Sequence, residues 1–322
     1  MLTVAALWGS YVPCLKVLYN MDGPPSIATY TAVHLVLSWV FLKVCQIGFF
    51  QMTDESFEDD KGKSPWWDGA ELAFWDTAAA LLQTWGVTLT SAVHAGVIIC
   101  LATGFVPILS WAIINQKPKM GEVVGCAAAL LGAVLLALDG TSFSSAGAVF
   151  ANGSFFGDAL TALAASFYAV TMVRIHQKTQ GAKKSSTRLA VDKVFYAALL
   201  SVLWASGEFC YYSLFGGGGG GAVAYSMWEN WFSTKQWLII LFISVGPSAL
   251  SNVLQFKALS NLKPSEGQVI LSTVPIWAIL FSLFVGGPLE MGGKAMAGLG
   301  MICFSFVSLF AAEIAAGKKK KS

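Results

Sequence analysis

The sequence predicts an all-α, polytopic membrane protein of ten transmembrane helices, built as two five-helix inverted repeats. Three observations carry that prediction. Of the 322 residues, 56% are hydrophobic and 12% charged, roughly half the charged share of a soluble domain. Ten apolar runs follow one another along the chain, each near the ~20 residues needed to cross ~30 Å of hydrocarbon. One plan is also written twice. Thr90 to Leu138 reads as two apolar helices joined by a polar hinge, Gln116 to Met120, and the stretch from Pro264 repeats a long span, a Gly-rich hinge and a small-residue span. Pro107 and Pro275 hold comparable places in the two copies and are read as helix hinges. A repeat of this kind fixes an architecture before any single residue is weighed.

The predicted spans run over 2–20, 27–49, 69–89, 92–114, 121–138, 157–174, 189–209, 236–256, 267–286 and 294–314. The first shows one basic residue, Lys16, in its C-terminal half. The second carries a polar stripe at every fourth position, Tyr30, His34 and Ser38. Between the second and third lies an acidic connector, Thr53 to Asp68, read as solvated. The third holds Asp76, with Gln83 seven residues on and on the same helical face. The fourth contains no Asp, Glu, Lys or Arg from Ala92 to Ile114. It shares with the fifth a ridge of small residues, Ala92, Gly96, Cys100 and Gly104 on one, Gly121, Gly125, Ala129, Ala133 and Ala137 on the other, which lets helix backbones approach closely in lipid. That ridge suits packing within the chain or a homodimer.

The first repeat then covers 1–138, a connecting loop 139–156, the second repeat 157–314 and a basic tail 315–322. A basic, Ser-rich linker, Gln177 to Arg188, follows the sixth span. The loop Tyr211 to Lys235 includes six consecutive glycines, Gly216 to Gly221. Uncharged polar faces mark the eighth span (Ser248, Asn252, Gln255), the ninth (Gln268, Ser272) and the fourth (Thr103, Ser110, Asn115). Because five crossings are an odd number, the second repeat enters the membrane from the opposite side.

Charge placement tests this topology, since Lys and Arg are retained in the cytoplasm. With the N-terminus inside, 17 of the 20 basic residues fall on the inner side, Lys193 among them, and only Lys16, Lys235 and Lys294 do not. Both termini are therefore expected to be cytoplasmic. The chain opens on an apolar run with neither a basic region nor a small-residue cleavage site. The first span is thus its own insertion signal, or further sequence precedes it. Which membrane holds the protein stays open: the closing lysines read as a dilysine retrieval signal of the secretory pathway or as a plain anchor, and a plastid membrane fits an upstream targeting segment. Asn152-Gly153-Ser154 is a glycosylation sequon on the predicted outer side.

Ionisable groups inside a span cost roughly 2.5–3.5 kcal/mol on insertion scales, so each is a functional candidate. Lys16, His34 and Asp76 qualify. Lys16 either faces a cavity or snorkels to the interface. His34 and Asp76 are candidates for coupling, His34 because its charge can change near neutral pH. Trp8, Tyr11, Tyr168, Trp111 and Trp277 could join the polar faces around a cavity that binds by stacking and hydrogen bonds. Trp66, Trp67, Trp228, Trp231 and Trp237 sit at span ends, as an interfacial belt would. The six cysteines are scattered, with no CxxC, and read as packing residues. No HExxH, GxSxG or P-loop occurs. The expectation is no enzyme, no metal, no cofactor and no nucleic-acid partner. Its partners are a small-molecule substrate and the lipid bilayer.

Several stretches resemble the EamA-type transporters of the drug/metabolite transporter superfamily. WGSYVPCLK, Trp8 to Lys16, is similar to that family's opening WGS-x-x-P-x-x-K. TSAVHAGVI with FVP, Thr90 to Pro107, GDALTALAASFYA, Gly157 to Ala169, and EGQVILSTVPIWAIL, Glu266 to Leu280, follow in the family's order. The resemblance implies a ten-helix secondary carrier working by alternating access, with Trp8, Tyr11, Lys16, His34, Tyr168, Gln268 and Trp277 at a substrate cavity formed by the first four and the sixth to ninth helices. His34 stands where relatives usually carry Arg, and Gln116 where they carry Glu. Sugar phosphates would call for several cations within the spans, and Lys16 is read as the one basic residue well inside. The expected substrate is a small organic metabolite, neutral, zwitterionic or singly charged. A non-transporting scaffold or receptor of the same fold is the alternative.

Overall fold

The computed structural model describes residues 1–48, 66–89, 98–138, 155–180, 186–215, 227–284 and 292–319. The sequon at Asn152, the glycine run, the interior of the acidic connector and the Gly-rich hinge before the last span lie outside these residues. Among the described residues every regular element is helical. In chain order they are α1 (Leu2–Tyr19), α2 (Ile27–Gly48), α3 (Trp67–Leu89), α4 (Leu101–Ile114), α5 (Met120–Ala137), α6 (Phe155–Gln180), α7 (Ser186–Phe215), α8 (Thr234–Leu259), α9 (Pro264–Phe284) and α10 (Gly293–Lys319).

Six of them, α1, α2 and α6 to α9, are long and apolar enough to cross a membrane. Shorter apolar stretches lie in α4, α5 and α10. In α3 the three carboxylates Asp68, Glu71 and Asp76 interrupt an otherwise apolar text. An apolar chain with this many spanning helices is an integral, multi-pass membrane protein, because helices satisfy every backbone hydrogen bond internally where no water can.

Two helices depart from regularity. Within α8 the backbone over Ser244–Leu250 winds as a π-helix around Pro247. Proline brings no N–H to the ladder, and an outside donor enters where the ladder is loosened: Ser38 of α2 gives its hydroxyl to the Ser244 carbonyl at 2.8 Å. In α9 the helix breaks at Ser272 and Thr273, and Pro275 stands in the first turn of the second piece, Val274–Phe284. Pro107, by contrast, is buried inside α4, which runs on through it. Asn115 closes α4 in a left-handed conformation, φ 52°, which its short polar side chain tolerates.

Much of the packing follows an exchange rule. Let each helix of the first half stand for the one five places later. The observed neighbours α3 with α6, α4 with α6, and α3 with α7 then become α8 with α1, α9 with α1, and α8 with α2, all of which also pack. The pairs α2 with α7 and α5 with α10 map onto themselves. Directions complete the rule. Met1, at the start of α1, lies by Gly267 near the start of α9, while His176, near the end of α6, bonds to Leu259 at the end of α8. Corresponding helices α1 and α6 therefore run oppositely. The ridge residue Gly125 faces α10, where its Cβ would stand 3.4 Å from the Ser305 carbonyl oxygen, but the closest approach is at Gly132, beside the ridge: a Cβ added there would stand 2.6 Å from the Gly298 carbonyl oxygen, and one at Gly298 equally close to that of Gly132.

One end of the bundle is fastened across the halves by charge. Arg174 and Lys178 of α6 pair with Glu71 and Asp68 of α3 at 2.5 and 2.6 Å. Lys263, just ahead of α9, pairs with Glu122 of α5 at 2.8 Å, and Ser265 donates to the same carboxylate at 2.5 Å. Glu122 is 2% exposed and sits in the first turn of α5, where the helix dipole also favours an anion. At the opposite end, Asn230 and Gln236 donate to the Asp22 carbonyl. Trp228 is buried there and donates to Gln236, so it serves internal packing where sequence position alone suggests an interfacial belt.

Candidate functional site

A cavity of about 540 Å³ lies between the halves, its walls drawn from α1 to α4 and α6 to α9. That volume falls within the range of pockets for small organic ligands. α5 and α10, bound to one another, stand outside it.

Charge and polarity within it come from few residues. Asp76 of α3 and Lys193 of α7 form an ion pair at 2.8 Å, with the Lys193 side chain 7% and the Asp76 side chain 36% exposed. Lys193 donates also to Asn252 Oδ1 at 3.0 Å. Asn252 follows the π-helical turn and ties its own Nδ2 back to the Ser248 carbonyl at 2.7 Å. The loosened backbone of α8 thereby holds Ser248 and Asn252 on the cavity wall. Trp8 of α1 donates its indole N–H to Ser251 at 3.0 Å, and Ser251 in turn donates to the Pro247 carbonyl.

His34 is buried, with Nδ1 3.1 Å from the Tyr30 carbonyl oxygen. Its ring stacks on that of Tyr30 at a centroid distance of 4.7 Å. Facing an oxygen that only accepts, Nδ1 carries a proton. Tyr168 of α6 donates its hydroxyl to Gln83 Oε1 of α3 at 3.0 Å, and Gln268 of α9 donates to Thr103 of α4 at 3.2 Å. These bonds join the first half to the second across the cavity.

A second cavity, about 520 Å³, continues from the first along α1, α2, α3 and α7 towards the end opposite the ion-paired one. Tyr11, His34, Leu35 and Asp76 belong to the walls of both. Asp76 thus stands where the two spaces meet.

Trp8, Tyr11, His34, Tyr168, Gln268 and Asp76, each singled out from sequence, come together in this place. Lys16 and Trp277 do not line it. Lys16 is exposed on α1, as a lysine reaching for the interface is. Trp277 packs beside Gly9, whose Cβ would stand 2.4 Å from that of Trp277. It clamps α1 to α9 behind the cavity wall. Trp111 is exposed on α4 and borders an outward-facing apolar hollow near Pro107.

Lys193 is the correction of most consequence. Sequence alone counts it with the inner-side charges and leaves Lys16 as the one basic residue well inside a span, whereas Lys193 is buried at the cavity. The available signal was its place two turns into an apolar helix. Glu122 was likewise passed over, a carboxylate opening an apolar run of small residues. Gln116 has a definite role: its side-chain amide lies 3.1 Å from His176 Nε2, and His176 Nδ1 donates to the Leu259 carbonyl at 2.7 Å. Among the described residues no group of three or more His, Cys, Asp and Glu has the arrangement of a metal site, and the cysteines are unpaired with one another.

Comparisons with known proteins agree with this architecture. The family described as the EamA-like transporter family matches residues 1–138 and again 155–311. No curated protein matches the chain. Among solved structures, a chain described only as a crystal structure of protein superposes with a TM-score of 0.71 at 15% identity, covering 97% of this chain and 96% of its own. At that identity the likeness concerns the fold.

Proposed function

Since this chain belongs to the EamA-like transporter family and is a membrane transporter of the drug/metabolite transporter superfamily, we propose that it is a secondary carrier of a small organic metabolite, working by alternating access with ten crossings and both termini in the cytoplasm. The observation that carries the reading is the Asp76–Lys193 pair, set between the halves on the wall of a cavity of ligand size. Charges within a membrane bundle are retained where they meet a solute or an ion, and a scaffold has no use for them there.

The ends of the bundle support a direction. Ion pairs between α3 and α6 and between α5 and α9 hold the basic end closed, while the second cavity leads away from Asp76 towards the other end. With the basic end in the cytoplasm, the conformation is one that opens to the far side. Closure there and release of the ion-paired end would complete the cycle.

Counterflow in proteoliposomes tests the proposal. Vesicles loaded with pooled unlabelled metabolites should take up one labelled class with saturation, and Lys193→Ala should reduce that uptake at least tenfold. Folded protein in sealed vesicles that moves no amino acid, sugar or nucleobase would favour the non-transporting scaffold.

A further inference from the structure

Among the described residues, the walls of the larger cavity carry one fixed cation, Lys193, and one carboxylate, Asp76. Their charges cancel. An ammonium has three N–H donors; Lys193 directs one to Asp76 and one to Asn252, and the third is uncommitted among the described residues. Asp76, a third exposed, still faces the space where the two cavities meet. The pair is not needed to hold α3 to α7. Those helices already meet closely below it, where a Cβ at Gly69 would lie 2.7 Å from that of Asp192. Buried ion pairs are in any case weak contributors to stability.

A net-neutral pair discriminates among solutes. An anion entering alone would bind Lys193 and leave Asp76 as an uncompensated charge, and a cation would do the reverse to Lys193. A dianion would need a second cation, and Lys193 is the single one on the wall among the described residues. A zwitterion exchanges one ion pair for two, its carboxylate on Lys193 and its ammonium on Asp76, and leaves every charge matched. The rest of the wall, with Leu35, Met172, Leu271 and Val274 beside the rings of Trp8 and Tyr11, suits an apolar remainder. When the solute leaves, the pair closes again, and the empty protein holds no unmatched charge while it changes conformation.

We propose that the cavity is a zwitterion site, taking small solutes that carry one ammonium and one carboxylate, with Asp76 and Lys193 as the two reading residues. This rests on the carrier reading above and deepens it. The test uses four probes on one skeleton: leucine (zwitterion), leucinamide (cation), N-acetylleucine (anion) and N-acetylleucinamide (neutral). Binding to the purified full-length protein is read from the ligand-dependent shift of its unfolding midpoint, and transport from counterflow in proteoliposomes.

Leucine should bind at least tenfold more tightly than each capped form. Asp76→Asn should erase its advantage over N-acetylleucine, and Lys193→Gln its advantage over leucinamide. The exchange of charges, Asp76→Lys together with Lys193→Asp, should restore the preference for leucine. Ratios between probes on one protein are insensitive to partial loss of folding. A capped form equal to leucine, no binding by any probe, or advantages unchanged in both single variants would overturn the proposal. Saturable counterflow of N-acetylleucinamide at the rate of leucine would keep the carrier and remove the zwitterion site. Tight leucine binding without counterflow would keep the site and remove the carrier.

Discussion

Lys193 shows how much one side chain's meaning depends on its surroundings. In the text of the chain it lies a few residues beyond a basic linker and reads as one more inner-side charge, while in the fold it reaches Asp76 and Asn252 from within α7. The partner was legible because Asp76 interrupts an apolar run. The pairing was not, because nothing local links a carboxylate on α3 to a lysine on α7. Removing one member of a fully buried pair costs about 3–5 kcal/mol, and the partial exposure of Asp76 should reduce that to about 2 kcal/mol. Lys193→Met is therefore expected to lower stability by about 2 kcal/mol, measured by titrating SDS into mixed micelles. Adding Asp76→Asn should recover most of the loss, since the stranded charge is then gone. Equal loss in the single and double variants would show that the lysine stem, not its charge, is what the fold needs.

At the scale of elements, the α5 and α10 pair offers a direct contrast. Gly132 and Gly298 allow two backbones to touch, but a Cβ at Gly300 would meet nothing within 4 Å. Gly132→Ala should cost about 1–3 kcal/mol through overpacking, whereas Gly300→Ala should be neutral or gain up to about 1 kcal/mol from helix propensity. Thermal unfolding of the two variants in detergent separates these outcomes. A ridge of small residues at every fourth place was visible in the sequence, but Gly132 stands one position off it and the partner helix was not legible, since a spacing says how close a neighbour can come without saying which one does. The ion-paired end offers another test. Cys126 is buried one turn from Glu122, with its thiol 4.0 Å from the Ser265 carbonyl. Glu122→Gln should weaken the hold of Lys263 and Ser265, and maleimide labelling of Cys126 in a background lacking the other cysteines should quicken about tenfold, as about 1.4 kcal/mol of lost closure would give. An unchanged rate would mean that the other ion pairs suffice to keep that end shut.

For the whole molecule, composition and repeated plan were enough to read an all-helical, multi-pass membrane protein, while the family came only from the likeness of a few motifs to those of the EamA-type transporters, the family whose model matches both repeats. They could not reveal the π-helical turn of α8 or the break in α9, because Pro247 and Pro275 permit a local departure without dictating its form. Orientation has its own measurement: epitope tags at both termini should resist protease in sealed, right-side-out vesicles and become accessible on permeabilisation, and exposure of either tag in intact vesicles would contradict the topology. The exchange rule among the helices has an energetic meaning under alternating access. If the halves trade shapes, the most extensive helix pairs keep partners of the same kind while the opening passes to the other end, so the bulk of the packing energy is common to both states. The balance between them then falls to the few places where the halves differ, the carboxylate and lysine clasps at one end and the asparagine and glutamine bonds to Asp22 at the other. A molecule built in this way behaves like a seesaw loaded evenly along its length, on which a handful of polar bonds at the tips decides which side is down.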